Sequence, residues 1–172
     1  MKYKKKIDEI IRVDLAGEKG AIGIYKGQLA IIKDKSFSKE INKMLKKEEE
    51  HFKKFSELLI KYRVRPTVLD PLWEKGAFGL GLLSAALGKK AAMACTEAVE
   101  EVIVDHYNAQ IKYLESLGIE KEMLKKIKKF CADEDDHRSF AEQSNLNDQS
   151  VNLFKSLTKN LTRLAIRLSK KI

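Results

Sequence analysis

Proline is almost missing from this 172-residue sequence, with Pro66 and Pro71 the only two, and they stand close together. Nothing on either side of them is barred from helix by a fixed φ or a missing N–H. Cysteine is equally scarce. Cys95 and Cys131 are far apart and form no Cys-x-x-Cys unit, so they read as reduced, small core residues and not as a disulfide framework. No apolar run reaches the roughly 20 residues that a membrane-spanning helix needs. The basic start, Met1-Lys-Tyr-Lys-Lys-Lys-Ile7, lacks the apolar stretch of a secretion signal, which makes a cytoplasmic chain the expectation. A Gly-x-Gly-x-x-Gly unit is absent, so no nicotinamide domain of its own is expected. The net charge of +9 comes mostly from scattered lysines such as Lys43, Lys46, Lys47, Lys53 and Lys54, interleaved with glutamates. With no arginine-rich arm and no stacking-aromatic motif, that charge reads as a solvated exterior and no nucleic-acid partner is expected.

What is present is helical periodicity. Hydrophobic residues make up 44% and charged residues 34%, a balance suited to one helical, well-solvated domain over 1–172. Residues 6–33 repeat Ile11, Leu15, Ile22, Tyr25, Leu29 and Ile32 at helical spacing, with Glu18 on the same stripe. Gly17, Gly20, Gly23 and Gly27 cross this helix, each costing about 1 kcal/mol against alanine, and together they suggest a flat groove for a close neighbour. Ser38 is the expected cap of a second helix over about 39–63, whose inward stripe is Ile41, Met44, Glu48, His51, Phe55 and Leu58, with Pro66 ending it. Residues 67–90 are apolar and Gly-rich, bounded by Trp73 and Lys89-Lys90; composition favours a buried crossover over an interfacial element. A third helix over about 91–116 carries Met93, Glu100, Tyr107, Ile111 and Leu114 on one face and ends at Gly118. A fourth, about 120–145, carries Leu124, Ile127, Phe130, Glu134, His137 and Phe140. A last amphipathic helix, about 150–170, places Val151, Phe154, Leu157, Leu161, Leu164 and Leu168 on one side and cations on much of the other.

Four of these stripes contain a glutamate, and burying an unpaired carboxylate is expensive. Two of the four, Glu48 and Glu134, have a histidine at i+3, His51 and His137, which puts both side chains on adjacent turns of one face. The halves match: Glu18 precedes Glu48 by 30 residues and Glu100 precedes Glu134 by 34. One Glu from each of two helices and Glu-x-x-His from the other two is the ligand set of ferritin-like di-iron and di-manganese bundles. Four carboxylates neutralise two divalent cations, and two imidazoles favour iron or manganese over magnesium. A single Glu-x-x-His, as in Glu48-Glu-Glu-His51, would fit a solvated surface run equally well; the repeated pattern does not. The fold class expected is all-α: a ferritin-like four-helix bundle with a di-iron core, an apolar interhelical connector at 67–90 and an extra C-terminal amphipathic helix. His106 lies off the Glu100 stripe and reads either as a partner that orients a carboxylate or as a surface histidine. Tyr25 and Tyr107 lie one or two turns beyond Glu18 and Glu100 and read as core or cavity-lining residues.

The local sequence narrows the class. Ile10-Ile-Arg-Val-Asp-Leu-Ala-Gly-Glu-Lys-Gly-Ala21, Gly27-Gln-Leu29, Arg65-Pro-Thr-Val-Leu69, Pro71-Leu-Trp73, Leu87-Gly-Lys89, Ala94-Cys-Thr96, Val99-Glu-Glu101 and His106-Tyr-Asn108 together resemble the Coq7/CLK-1 family, the demethoxyubiquinone hydroxylases of ubiquinone biosynthesis. The resemblance runs from about residue 7 to the C-terminus and places the family's metal ligands on Glu18, Glu48, His51, Glu100, Glu134 and His137. It places the family's His-Tyr pair on His106 and Tyr107 and a basic C-terminal residue on Arg163. Leu15 stands where the family often has His, and Arg167 where animal members have Tyr.

The resemblance implies two iron ions per chain, dioxygen, a polyprenyl benzoquinol (2-polyprenyl-3-methyl-6-methoxy-1,4-benzoquinol) hydroxylated at its unsubstituted carbon, and NADH as ultimate electron donor. It implies a peripheral enzyme on the cytoplasmic face of the bacterial inner membrane. That turns 67–90 into a membrane-contact and substrate-entry element. A lipid-binding accessory protein is expected on the same ground, and a homo-oligomer is left open. The rivals are a ferritin-like iron-oxidising protein, which has no need of an apolar 77–88 segment, and a non-enzymatic membrane-associated scaffold with solvated carboxylates.

Overall fold

The computed structural model describes residues 2–144 and 151–171. Among the described residues six helices follow one another: α1 (Lys2–Ile31), α2 (Lys35–Tyr62), α3 (Asp70–Ala86), α4 (Lys89–Leu117), α5 (Lys121–Gln143) and α6 (Asn152–Ser169). The described residues contain no strand, as the all-α reading requires. The expected boundaries at 145 and 150 lie outside the described residues. Two compact units divide the chain, one of residues up to Ala92 with those from Arg163 onward, the other Met93–Thr162.

In the first unit α1 packs against both α2 and α3. The stripe expected on α2 is buried throughout, from Ile41 to Leu58. Its N-terminus is capped by Asp34, not by Ser38. Asp34 keeps an extended backbone (φ −63°, ψ 116°) and its Oδ1 accepts the Phe37 N–H at 2.7 Å. Ser38 sits a turn further in, and its hydroxyl donates to the Ile32 carbonyl at 3.3 Å. Replacing Asp34 by Ala should cost about 1 kcal/mol, seen as a lower urea midpoint at unchanged slope. The helix also stops before Pro66 can act. Arg63 turns left-handed at φ +54°, and the Val64 N–H reaches back to the Leu59 carbonyl at 2.9 Å.

The 67–90 segment is mostly helix, with Pro71 in the first turn of α3, where its missing N–H costs nothing. Lys19 of α1 clasps that turn through Asp70 at 2.6 Å and Glu74 at 3.0 Å. The hydrogen bond to Asp70 is the main reason the Lys19 ammonium holds its proton above the usual lysine range. The buried-crossover reading is overturned. Of α3 only Gly81, Ser84 and Ala85 are buried, while Val68, Leu72, Phe78, Leu83 and Leu87 of the segment are exposed, the last two at 51% and 62%. The cause is the tight α1–α3 approach, which accepts only short side chains and leaves the long ones outside. Of the glycine series in α1, Gly23 and Gly27 lie in that contact, whereas Gly20 faces open space.

In the second unit α4 ends as expected at Gly118, which adopts φ +64°. The Cys131 thiol of α5 lies against the Val104 carbonyl and Asn108 of α4, and both cysteines are buried thiols outside any disulfide. Burial, followed by the charges of Asp135 and Glu134, pushes the Cys131 thiol up, so it is an inert core group. The start of α6 meets α4 through its polar side. Lys155 pairs with buried Glu97, Lys159 reaches Glu101 at 2.5 Å, and Thr158 between them is buried. The stripe of α6 is split by this: Val151 is buried, but Leu157, Leu161 and Leu164 face outward. Among the described residues no helix is long and apolar enough to cross a membrane.

Candidate metal centre

Each unit brings together three of the six expected ligands. In the first, Glu18 from α1 and Glu48 and His51 from α2 are all buried, and their ligand atoms lie within 4.8 Å of one another. His51 Nδ1 is 3.4 Å from Glu18 Oε2 and 3.8 Å from Glu48 Oε2. In the second, Glu100 from α4 and Glu134 and His137 from α5 likewise lie within 4.8 Å, with His137 the most open at 8%. His137 Nδ1 is 3.1 Å from Glu134 Oε2, a hydrogen bond that orients the ring one turn along the same helix.

The spacings fit an ion. Two ligand atoms on one metal, each bonded at about 2.1 Å, lie about 3 Å apart when adjacent and about 4.2 Å when opposite. Two carboxylates this close under burial repel strongly in a low dielectric, and a divalent cation between them removes both that repulsion and the desolvation cost. The donors are hard oxygens with one imidazole per triad, a set suited to iron or manganese. Each acidic and histidine cluster is compatible with a di-iron helical bundle.

The other expected residues are placed elsewhere. Tyr25 and Tyr107 are fully enclosed. His106 is half-buried, with its Nε2 2.9 Å from Gln110 Nε2, and it belongs to neither triad. Arg163 is exposed on α6. Sequence reasoning missed the Lys155–Glu97 and Lys159–Glu101 pairs, because lysines on an amphipathic helix ordinarily face water; the signal was four-residue spacing on both helices. It also missed a cleft of about 600 Å³ in the first unit, lined by Lys19, Ile22 and Lys26 of α1, Glu49 and Phe52 of α2 and Phe78 of α3. Three of these are the chain neighbours of Glu18, Glu48 and His51.

Residues 5–169 match the model of a family described as ubiquinone biosynthesis protein COQ7. The chain belongs to this family. It is 46% identical over 169 residues to the human NADPH-dependent 3-demethoxyubiquinone 3-hydroxylase, mitochondrial, covering 96% of this chain and 78% of that protein. It is 52% identical over 132 residues to the Dictyostelium discoideum protein of the same name, covering 76% of this chain and 61% of the relative. A Rhodospirillum rubrum protein named 3-demethoxyubiquinol 3-hydroxylase is 46% identical over 134 residues, 77% of this chain and 62% of the relative. The chain thus spans somewhat under two thirds of the length of the Dictyostelium and Rhodospirillum COQ7 relatives.

Proposed function

We propose that this COQ7-family chain is a single-domain 3-demethoxyubiquinol 3-hydroxylase, in which Glu18, Glu48, His51, Glu100, Glu134 and His137 hold two iron ions. The observation that carries the reading is the buried carboxylate–imidazole triad in each unit, on residues of a family whose relatives bear that enzyme name. When bound, the two irons would supply dioxygen activation. The two carboxylates of each triad balance the charge of one divalent ion, so a loaded triad would be close to neutral and tolerate burial. Burial of all six side chains keeps bulk water from the reacting centre. Glu134 orients the His137 ring through its Nδ1.

The reaction converts one ring C–H of a polyprenyl benzoquinol to C–OH. One oxygen atom of dioxygen enters the ring and the other leaves as water, with two electrons and two protons supplied. A reduced nicotinamide is the ultimate source; the relatives' names specify NADPH where the resemblance had suggested NADH. The exposed apolar residues of α3 would meet the inner-membrane surface on its cytoplasmic side, where such a substrate resides, with a lipid-binding accessory protein aiding its transfer.

Metal analysis of the purified chain should find two irons per chain. Incubation with NADPH, dioxygen and a short-chain demethoxyquinone should then yield the hydroxylated ring by mass spectrometry. Iron without quinone-dependent turnover would return the chain to iron handling, and no bound metal would sink the proposal.

A further inference from the structure

Helix α4 carries three glutamates within five residues, Glu97, Glu100 and Glu101, and of these Glu100 stands in the second triad. At about 100° per residue Glu97 and Glu101 lie about 40° apart, and Glu100 lies about 60° beyond Glu97 on the other side. Turning α4 about its axis by about 60° would therefore give Glu97 the bearing that Glu100 holds. Helix α6 opposes such a turn. Its Lys155 pairs with Glu97, which is 6% exposed, and its Lys159 meets Glu101 at 2.5 Å, with buried Thr158 between the two lysines. Arg138 of α5 continues the chain of charges. Its hydrogen bond to Asp135 at 2.8 Å is the main reason the guanidinium holds its proton above the usual range, and the charge of Glu101 across on α4 adds to it. Glu101, Asp135 and Arg138 are the chain neighbours of Glu100, Glu134 and His137.

Ion pairs are a costly way to attach a helix. A buried pair gains little over apolar residues of similar volume, and its best-attested contribution is register. Glu97 Oε2 and Thr158 Oγ1 are buried with no hydrogen-bond partner among the described residues, so this contact is not arranged for the greatest stability. Leu157 and Leu161 of the same helix, which could have supplied apolar packing, face outward. We propose that Lys155 and Lys159 are positioning residues of the second triad. By holding Glu97 and Glu101 against α6 they fix the rotation of α4, so that Glu100 alone of the three carboxylates is presented to a metal ion. A metal site tolerates errors of about 0.5 Å and 10–20°, far less than the turn that separates Glu100 from Glu97. The two ammonium groups also neutralise carboxylates that would otherwise compete for the cation within a turn of the triad. The inference rests on the reading of Glu100, Glu134 and His137 as metal ligands.

The test is titration of the metal-free full chain with cobalt(II), which stands in for iron and whose visible bands report the geometry of its donors. The unmodified chain should take up two ions. Lys155→Met with Lys159→Met should leave one ion as tightly held as before. The other should be weakened roughly tenfold or more, with altered bands, since outer partners of metal ligands are worth 10–100-fold. Lys159→Met alone, at a partly exposed position and far milder for folding, should change affinity and bands in the same direction. Lys159→Arg keeps the cation and should bind as the unmodified chain does. Lys128→Met breaks a different pair between α5 and α4, Lys128 to Glu115 at 2.6 Å, and should leave both ions unaffected. Circular dichroism matching the unmodified chain shows that each variant is folded. A merely adhesive contact would lower the thermal midpoint of the metal-free lysine variants and leave cobalt affinity and bands unchanged; that result overturns the proposal. So does equal weakening by Lys128→Met, or a loss in Lys159→Arg as large as in Lys159→Met. An unmodified chain that takes up no cobalt overturns the metal reading and this inference with it, whereas two ions bound unchanged by the lysine variants overturn this inference alone.

Discussion

Changing Glu48 and His51 together to Ala should remove bound metal and hydroxylation while leaving helix content nearly unchanged. Both residues lie on one turn of α2, flanked on the same buried stripe by Met44 and Phe55, which carry the packing of that helix independently of any ion. Metal affinity should fall by more than about a hundredfold, since even the outer partners of metal ligands cost 10–100-fold when lost. Activity should disappear with it, because the triad of the first unit is left with Glu18 alone. Stability gives a second readout. Iron at about a thousand times its Kd adds about 4 kcal/mol to the native state, so the unmodified chain should melt roughly 8–16 °C higher with iron than without. The double variant should show no such rise. In the metal-free state two effects oppose each other: the substitution opens a cavity, yet it also removes a carboxylate from a buried site that repels it. A double variant that still holds two irons per chain would overturn the ligand assignment.

The elements of the fold that repeat at helical spacing were legible in the sequence, and so was the set of six buried Glu and His side chains that the structure gathers into two triads. Periodicity sufficed because a glutamate or histidine on an apolar stripe violates the rule that buried charge is costly, and four such violations in a matched pattern have one economical explanation. Where the reading failed, the deciding quantity was a distance between elements. Ser38 and Asp34 are both good caps by residue type; the backbone chose Asp34 because that residue remains extended. Residues 67–90 looked buried because they are apolar. Their exposure follows from how closely α3 approaches α1, which hydropathy does not encode. For α6 the rule that apolar faces turn inward was beaten by two ion pairs to α4, one of them with a buried glutamate.

The α1–α3 approach itself predicts the largest effect on stability. A Cβ built on Gly27 would lie 2.2 Å from the Phe78 carbonyl oxygen and 2.7 Å from the Leu82 nitrogen, and one on Gly81 would lie 2.1 Å from the Ile24 carbonyl oxygen. These are backbone atoms of a neighbouring helix, so no rotamer change relieves the clash; the helices must separate. Gly27→Ala and Gly81→Ala should therefore each cost about 1–3 kcal/mol or more as overpacking, outweighing the gain of about 1 kcal/mol in helix propensity. Gly20→Ala provides the contrast on the same helix, since a Cβ there meets nothing within 4 Å. It should gain up to about 1 kcal/mol. Thermal melts should then move in opposite directions, up by about 2–4 °C for Gly20→Ala and down by several degrees for Gly27→Ala. The separation forced at Gly27 would also act on function, since Phe78 and Lys19 line the cleft beside the first triad and Lys19 clasps the α3 N-terminus. Melts that shift the same way for both substitutions would show that the close approach of α1 and α3 does not hold this part of the chain together.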